Sequence, residues 1–155
     1  MKGSPAVIKV LNGLLSHELT AVSQYMVHSE ECENWGYGKL GGVIQKRAVE
    51  EMKHAEKLIA RIIFLEGRPI VSELSKFNIG ADVPKMFVND HGLEEEAIRD
   101  YNAGIVVCGE AKDFATREIL EHILNEEDKH IDDIEEVNDQ IAQMGIQVFL
   151  STQIK

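Results

Sequence analysis

Glu51-Met52-Lys53-His54 and Glu127-Asp128-Lys129-His130 are near-copies of one short pattern, a glutamate three residues ahead of a histidine. Three residues advance an α-helix by roughly 300°, so each Glu and His project from one face about 60° apart. Working outward, Glu18 is followed seven positions later by Tyr25, 33 later by Glu51 and 36 later by His54. Glu94 is followed at the same offsets by Tyr101, Glu127 and His130. One Glu-x-x-His in a Glu-rich helix is ordinary surface charge; four residue types recurring at three identical spacings are an internal repeat. Seven residues advance a helix by about 700°, which leaves each Tyr on nearly the same side as its Glu, two turns away.

The surroundings of these residues are apolar. Glu51 lies in the stripe of Ile44, Ala48, Ala55, Leu58 and Ile62, and Glu127 in that of Leu120, Ile123, Ile134 and Ile141. Four carboxylates pointing into a core demand compensating positive charge or protonation. Lys53 and Lys129 lie about 200° round from Glu51 and Glu127, so neither serves. A bound metal pair meets the need. Oxygen-rich ligation with one imidazole per ion suits iron or manganese better than a structural zinc.

Prolines occur only at 5, 69 and 84, which leaves 6–68 and 85–155 free for long helices. Helical periodicity and Gly/Pro punctuation predict helices over about 4–35, 39–66, 83–110, 114–144 and 147–153 within a single domain spanning 1–155. Ser4-Pro5 reads as the first N-cap, Gly67 and Pro69 as the end of the second helix, and Gly145 as the end of the fourth. The segment from Gly67 to Asp82 reads as an ordered crossover that lets the second and third helices run parallel. The fold class is all-α: a four-helix bundle with a long crossover and a short fifth helix. A Glu from each of two helices plus Glu-x-x-His from each of the other two is the general arrangement of ferritin-like di-iron sites.

Composition narrows the function. A formal net charge of −11 disfavours a nucleic-acid partner and suits cations. No apolar run is long enough to span a bilayer, and Met1 to Val10 lacks the pattern of a secretory signal, so a cytoplasmic location is expected. Cys32 and Cys108, too few for a disulfide framework, are expected as reduced thiols.

Along nearly its full length the chain resembles the bacterioferritins. The resemblance is carried by Met1-Lys2-Gly3, Asn34-Trp35-Gly36, Glu51-Met52-Lys53-His54-Ala55, Phe64-Leu65-Glu66-Gly67, Leu74 with Asn78-Ile79-Gly80, and Glu126-Glu127 through His130-Ile131-Asp132. It implies two iron ions per subunit, bridged by Glu51 and Glu127, with Glu18 and Glu94 as terminal carboxylates and one nitrogen each from His54 and His130. It also implies oxidation of Fe(II) by O2 or H2O2 and storage of the ferric mineral in a homo-oligomeric cage of 24 subunits built from two-fold dimers. A rubrerythrin-like oxidase is disfavoured because no Cys-x-x-Cys pair is present. A mini-ferritin, whose ligands lie between subunits, is disfavoured because one chain carries all six donors.

The repeat breaks at Met52 against Asp128. Met52 lies about 100° from Glu51, on a second apolar stripe with Val49, Ile59 and Ile63 that needs a partner. The resemblance makes Met52 an axial ligand, together with its copy in a second subunit, of a b-type haem shared between the two. Thioether ligation raises a haem's potential and suits electron transfer, here reductive release of iron with a small ferredoxin as donor. Where some bacterioferritins carry an extra iron-binding His and Asp, this chain has Lys46 and Glu50, which puts that inner site in question. Tyr25 is expected to have a redox or supporting role beside the metals. Trp35 is expected to pack, and His17, His28, His91 and His122 to sit at the surface or in hydrogen bonds.

Overall fold

The computed structural model describes residues 1–155 and contains five helices and no strand. They are α1 (Pro5–Asn34), α2 (Gly38–Phe64), α3 (Val83–Glu110), α4 (Phe114–Met144) and α5 (Ile146–Ser151). α1 packs on α2 and α3 on α4; α1 also meets α3, α2 meets α4, and α5 folds against α4. No helix is long and apolar enough to cross a membrane.

Local chemistry sets the helix ends. Ser4 is the N-cap and Pro5 the first helical residue, but the Ser4 hydroxyl makes no capping bond. Asp82 and Asp113 do cap, accepting from the backbone N–H of Lys85 and Thr116. α2 stops at Phe64, short of the expected end, because Glu66 rather than Gly67 turns left-handed, at φ 61°. Its N–H donates to Ile63 O, and the Gly67 N–H reaches back to Ile62 O, which together satisfy two terminal carbonyls. Lys112, at φ 56°, ends α3 in the same way.

The core divides into two apolar clusters. Thirteen buried residues, from Val7 to Leu15, Ala55 to Leu65, Ala97 to Cys108 and Leu120 to Ile123, form one. Twelve, from Ala21 to Cys32, Leu40 to Ala48, Val83 to Leu93, Ile134 and Phe149, form the other. Every long helix passes from one cluster to the other: α1 and α4 in one sense, α2 and α3 in the opposite sense. The second and third helices are therefore parallel. Each buried Leu, Ile or Phe contributes about 1.5–3 kcal/mol, so the two clusters hold the bundle together on either side of a central layer.

The crossover is ordered without regular structure. Thr20, Gln24 and His28, buried at successive turns of α1, accept the backbone N–H of Ser75 (2.8 Å), Asn78 (3.1 Å) and Gly80 (3.0 Å). Otherwise these N–H groups would be costly orphans against the bundle. Gly80 presses so close to α3 that a Cβ would lie 2.3 Å from Met86 N.

Candidate metal centre

On each helix the change of cluster falls at the repeat. Glu18 lies between Leu15 and Ala21, Glu51 and His54 between Ala48 and Ala55, Glu94 between Leu93 and Ala97, and Glu127 and His130 between Ile123 and Ile134. The six side chains thus form a polar layer between two apolar ones, and none is more than 3% exposed. Their donor atoms gather into two groups, Glu18, Glu51, His54 and Glu127, and Glu51, Glu94, Glu127 and His130, with the atoms of each within 4.8 Å of one another. Glu51 and Glu127 belong to both groups.

The imidazoles face each other, with ring centroids 6.0 Å apart. His54 Nδ1 lies 2.9 Å from Glu127 Oε1 and 3.1 Å from Glu51 Oε2; His130 Nδ1 lies 2.8 Å from Glu51 Oε1, without the alignment of a hydrogen bond. Buried oxygens of Glu18, Glu51, Glu94 and Glu127 have no hydrogen-bond partner at all. Orphaned acceptors in a dry layer cost free energy that a pair of cations recovers, so the donor set fits metal ions.

Electrostatics agree. Burial, then the nearby charge of Glu51, pushes the Glu18 carboxyl up to about 8; burial, then Glu127, pushes Glu94 up to about 7. Burial works against charge on His54 and His130, but the glutamate carboxylates packed close around them outweigh it and hold both imidazoles protonated well above the usual range. Burial, then the charge of Glu18, opposes ionisation of Glu127, and the Glu94 carboxyl and the two imidazoles close beside it overcome this and lower it. Without metal, burial and close packing thus favour protons on Glu18, Glu94 and both imidazoles.

The tyrosines cross over. The Tyr25 hydroxyl on α1 donates to Glu94 on α3, and the Tyr101 hydroxyl on α3 donates to Glu18 on α1. Burial first, then the adjacent carboxylate, raises both phenols well above their ordinary value, so both remain donors. One basic residue escaped the sequence reading: Arg47 lies on the Glu51 stripe, 4% exposed, with its guanidinium 5.4 Å from the centre of the Tyr25 ring. It meets that π face rather than a carboxylate, and its Nη1 has no partner.

Met52 is half-exposed on the outer face of α2, with Val49 and Ile63 exposed beside it. Trp35 is half-exposed, beside Tyr37, Val83, Pro84 and Ile146. His91 and His122 are paired with glutamates toward solvent, and His28 is buried in its crossover bond. His17 is the exception to the expectation: it is buried, because α1 turns that face inward, and has no hydrogen bond. Cys32 and Cys108 are free thiols, pushed up to about 11 by burial.

Fold and cluster together define a four-helix-bundle protein whose central layer is a buried carboxylate–histidine set compatible with a pair of metal ions. The chain belongs to the bacterioferritins: a ferritin-like domain family matches residues 8–144, and full-length relatives bear that name. Bacterioferritin of Mycolicibacterium paratuberculosis is 34% identical over 149 residues, covering 96% of this chain and 94% of the relative. That of Rhodobacter capsulatus is 37% identical over 149 residues (96% and 92%), and that of Mycobacterium leprae 36% over 145 residues (94% and 89%).

Proposed function

We propose that this protein stores iron and is a ferroxidase, taking two Fe(II) ions as substrate into the central layer and oxidising them with O2 or H2O2. The observation that carries this reading is the overlap of two four-residue donor groups through Glu51 and Glu127. Two ferrous ions held side by side can together deliver the two electrons that reduce O2 to peroxide. Glu18 and His54 would complete one position, and Glu94 and His130 the other, in a centre rich in oxygen donors. Binding displaces the protons that Glu18, Glu94 and the imidazoles hold in the metal-free state. Tyr25, donating to Glu94 from a dry site, steadies that carboxylate and stands beside the metals as a one-electron donor.

The product would be kept as mineral inside a cage of 24 copies, as the family resemblance implies. Met52, half-exposed on an apolar face, suits a haem shared across a two-fold axis. Such a haem would pass electrons inward from a small ferredoxin for release.

Anaerobic mixing of metal-free protein with two Fe(II) per subunit, followed by oxygen, tests the ferroxidase. A rapid absorbance rise from ferric products is expected, slowed on the order of 100-fold in Glu18→Ala and His130→Ala, as for loss of a metal ligand or its orientation. Absence of a fast phase in the parent protein, or its persistence in both variants, rejects the reading.

A further inference from the structure

The six donors have neighbours that they do not account for. His54 Nε2 on α2 lies 2.6 Å from Glu126 Oε2 on α4, and His130 Nε2 on α4 lies 2.8 Å from Glu50 Oε2 on α2. Glu50 and Glu126 stand 76 positions apart, the interval that separates every pair of the repeat. They sit half-exposed at the rim of a cleft of about 280 Å³ whose lining, Lys53, Lys57 and Lys129 included, contains no apolar residue. On this side the two imidazoles form the floor of the cleft, with the buried carboxylates beneath them.

We propose that Glu50 and Glu126 are positioning residues: each accepts the Nε2–H of the imidazole on the opposite helix and so aims its Nδ1 at the metals. A neutral imidazole carries one N–H, and the partner of that N–H decides which nitrogen is left with a lone pair. Here the outer carboxylates take Nε2–H. Nδ1 is the atom that approaches Glu51 and Glu127, at 2.8–3.1 Å. Both contacts bridge α2 and α4, so each ring is held by a helix that does not carry it. A carboxylate behind a ligating imidazole also makes the ring a stronger donor. Glu50 is thereby engaged with His130, at the place where the resemblance puts a separate inner iron ligand.

This inference rests on the metal-site reading above, and the test separates the two. Metal-free protein is titrated anaerobically with Co(II), followed by calorimetry and by the visible d–d bands. The parent chain is expected to bind two Co(II) per subunit. Glu126→Ala and Glu50→Ala should each weaken one of the two ions by roughly 10–100-fold and alter its bands, the usual range for loss of a partner behind a ligand. Glu126→Gln and Glu50→Gln, which keep an acceptor oxygen but no charge, should recover most of that affinity. Because both residues reach solvent, the variants should fold, and helical circular dichroism checks this. Two Co(II) bound at parental strength by both alanine variants overturns the positioning role alone. Equal losses in Ala and Gln variants also overturn it, leaving only attraction by charge. If the parent chain takes up no Co(II) pair, the metal-site reading fails and this inference with it.

Discussion

The α1–α2 half and the α3–α4 half of the molecule carry the same donors, 76 residues apart, yet they differ immediately around them. Met52 in the first half corresponds to Asp128 in the second, Arg47 to Ile123, and His28 to Gly104. The donors are alike because the two donor groups share one layer and converge with the same kinds of atom. The neighbours diverge because the halves touch different things: α1 carries the crossover through His28, whereas a Cβ at Gly104 would meet Val10 at 2.7 Å. The fold therefore constrains the ligands as a symmetric set and leaves each flank to its local packing.

Three experiments break or sharpen this comparison. The largest effect is expected at the Met52–Asp128 mismatch. If Met52 is the haem ligand proposed above, Met52→Leu should abolish the haem Soret band of the purified protein, and Asp128→Leu should leave haem content as in the parent. Equal haem in both would remove any functional meaning from the mismatch.

Next comes the exchange of flanks. Ile123→Arg places a charge in a fully buried position of the core and should destabilise the fold by about 3–5 kcal/mol in chemical denaturation. Arg47→Ile removes a guanidinium that has a π face but no carboxylate, and should change stability by no more than about 1 kcal/mol. A large loss in Arg47→Ile would reveal a strong cation–π anchor on Tyr25.

The smallest effect is the pH dependence that the two halves share. Folding raises Glu18 to about 8 and Glu94 to about 7 from an ordinary 4.5, so their protonation stabilises the metal-free fold fully below that ordinary value. This contribution fades as pH rises through 7 and 8. The raised His54 and His130 act in the same direction, losing their contribution at higher pH still. The melting temperature of metal-free protein should fall by on the order of 5 °C between about pH 5.5 and 8.5. Two equivalents of Zn(II) should flatten the slope, since ligands on a metal stay deprotonated. A melting temperature that climbs across this interval would contradict the assignment.

Much of the site was legible before folding was considered. The spacing of Glu18, Tyr25, Glu51 and His54, repeated at Glu94, Tyr101, Glu127 and His130, marked six residues that meet in one layer and two tyrosines that reach it from the clusters on either side. Glu50 and Glu126 recur at the same interval but pass for surface charge, since their role depends on a contact with the opposite helix. Arg47 stands on the same apolar stripe as Glu51, but spacing alone does not tell whether its guanidinium meets a carboxylate or, as it does, the Tyr25 ring.

The sequence by itself determined the helices, their breaks, and which faces carry carboxylate and imidazole, because a helix fixes angular position from spacing alone. Tertiary structure decided everything that depends on another helix. It crossed each tyrosine to the opposite glutamate, gave Glu51 and Glu127 to both donor groups, set Glu50 and Glu126 behind the imidazoles, and turned Thr20, Gln24 and His28 toward the crossover backbone. The physical reason is distance: hydrogen bonds and shared ligation act over about 3 Å, and only the packing of four helices brings residues far apart in the chain that close.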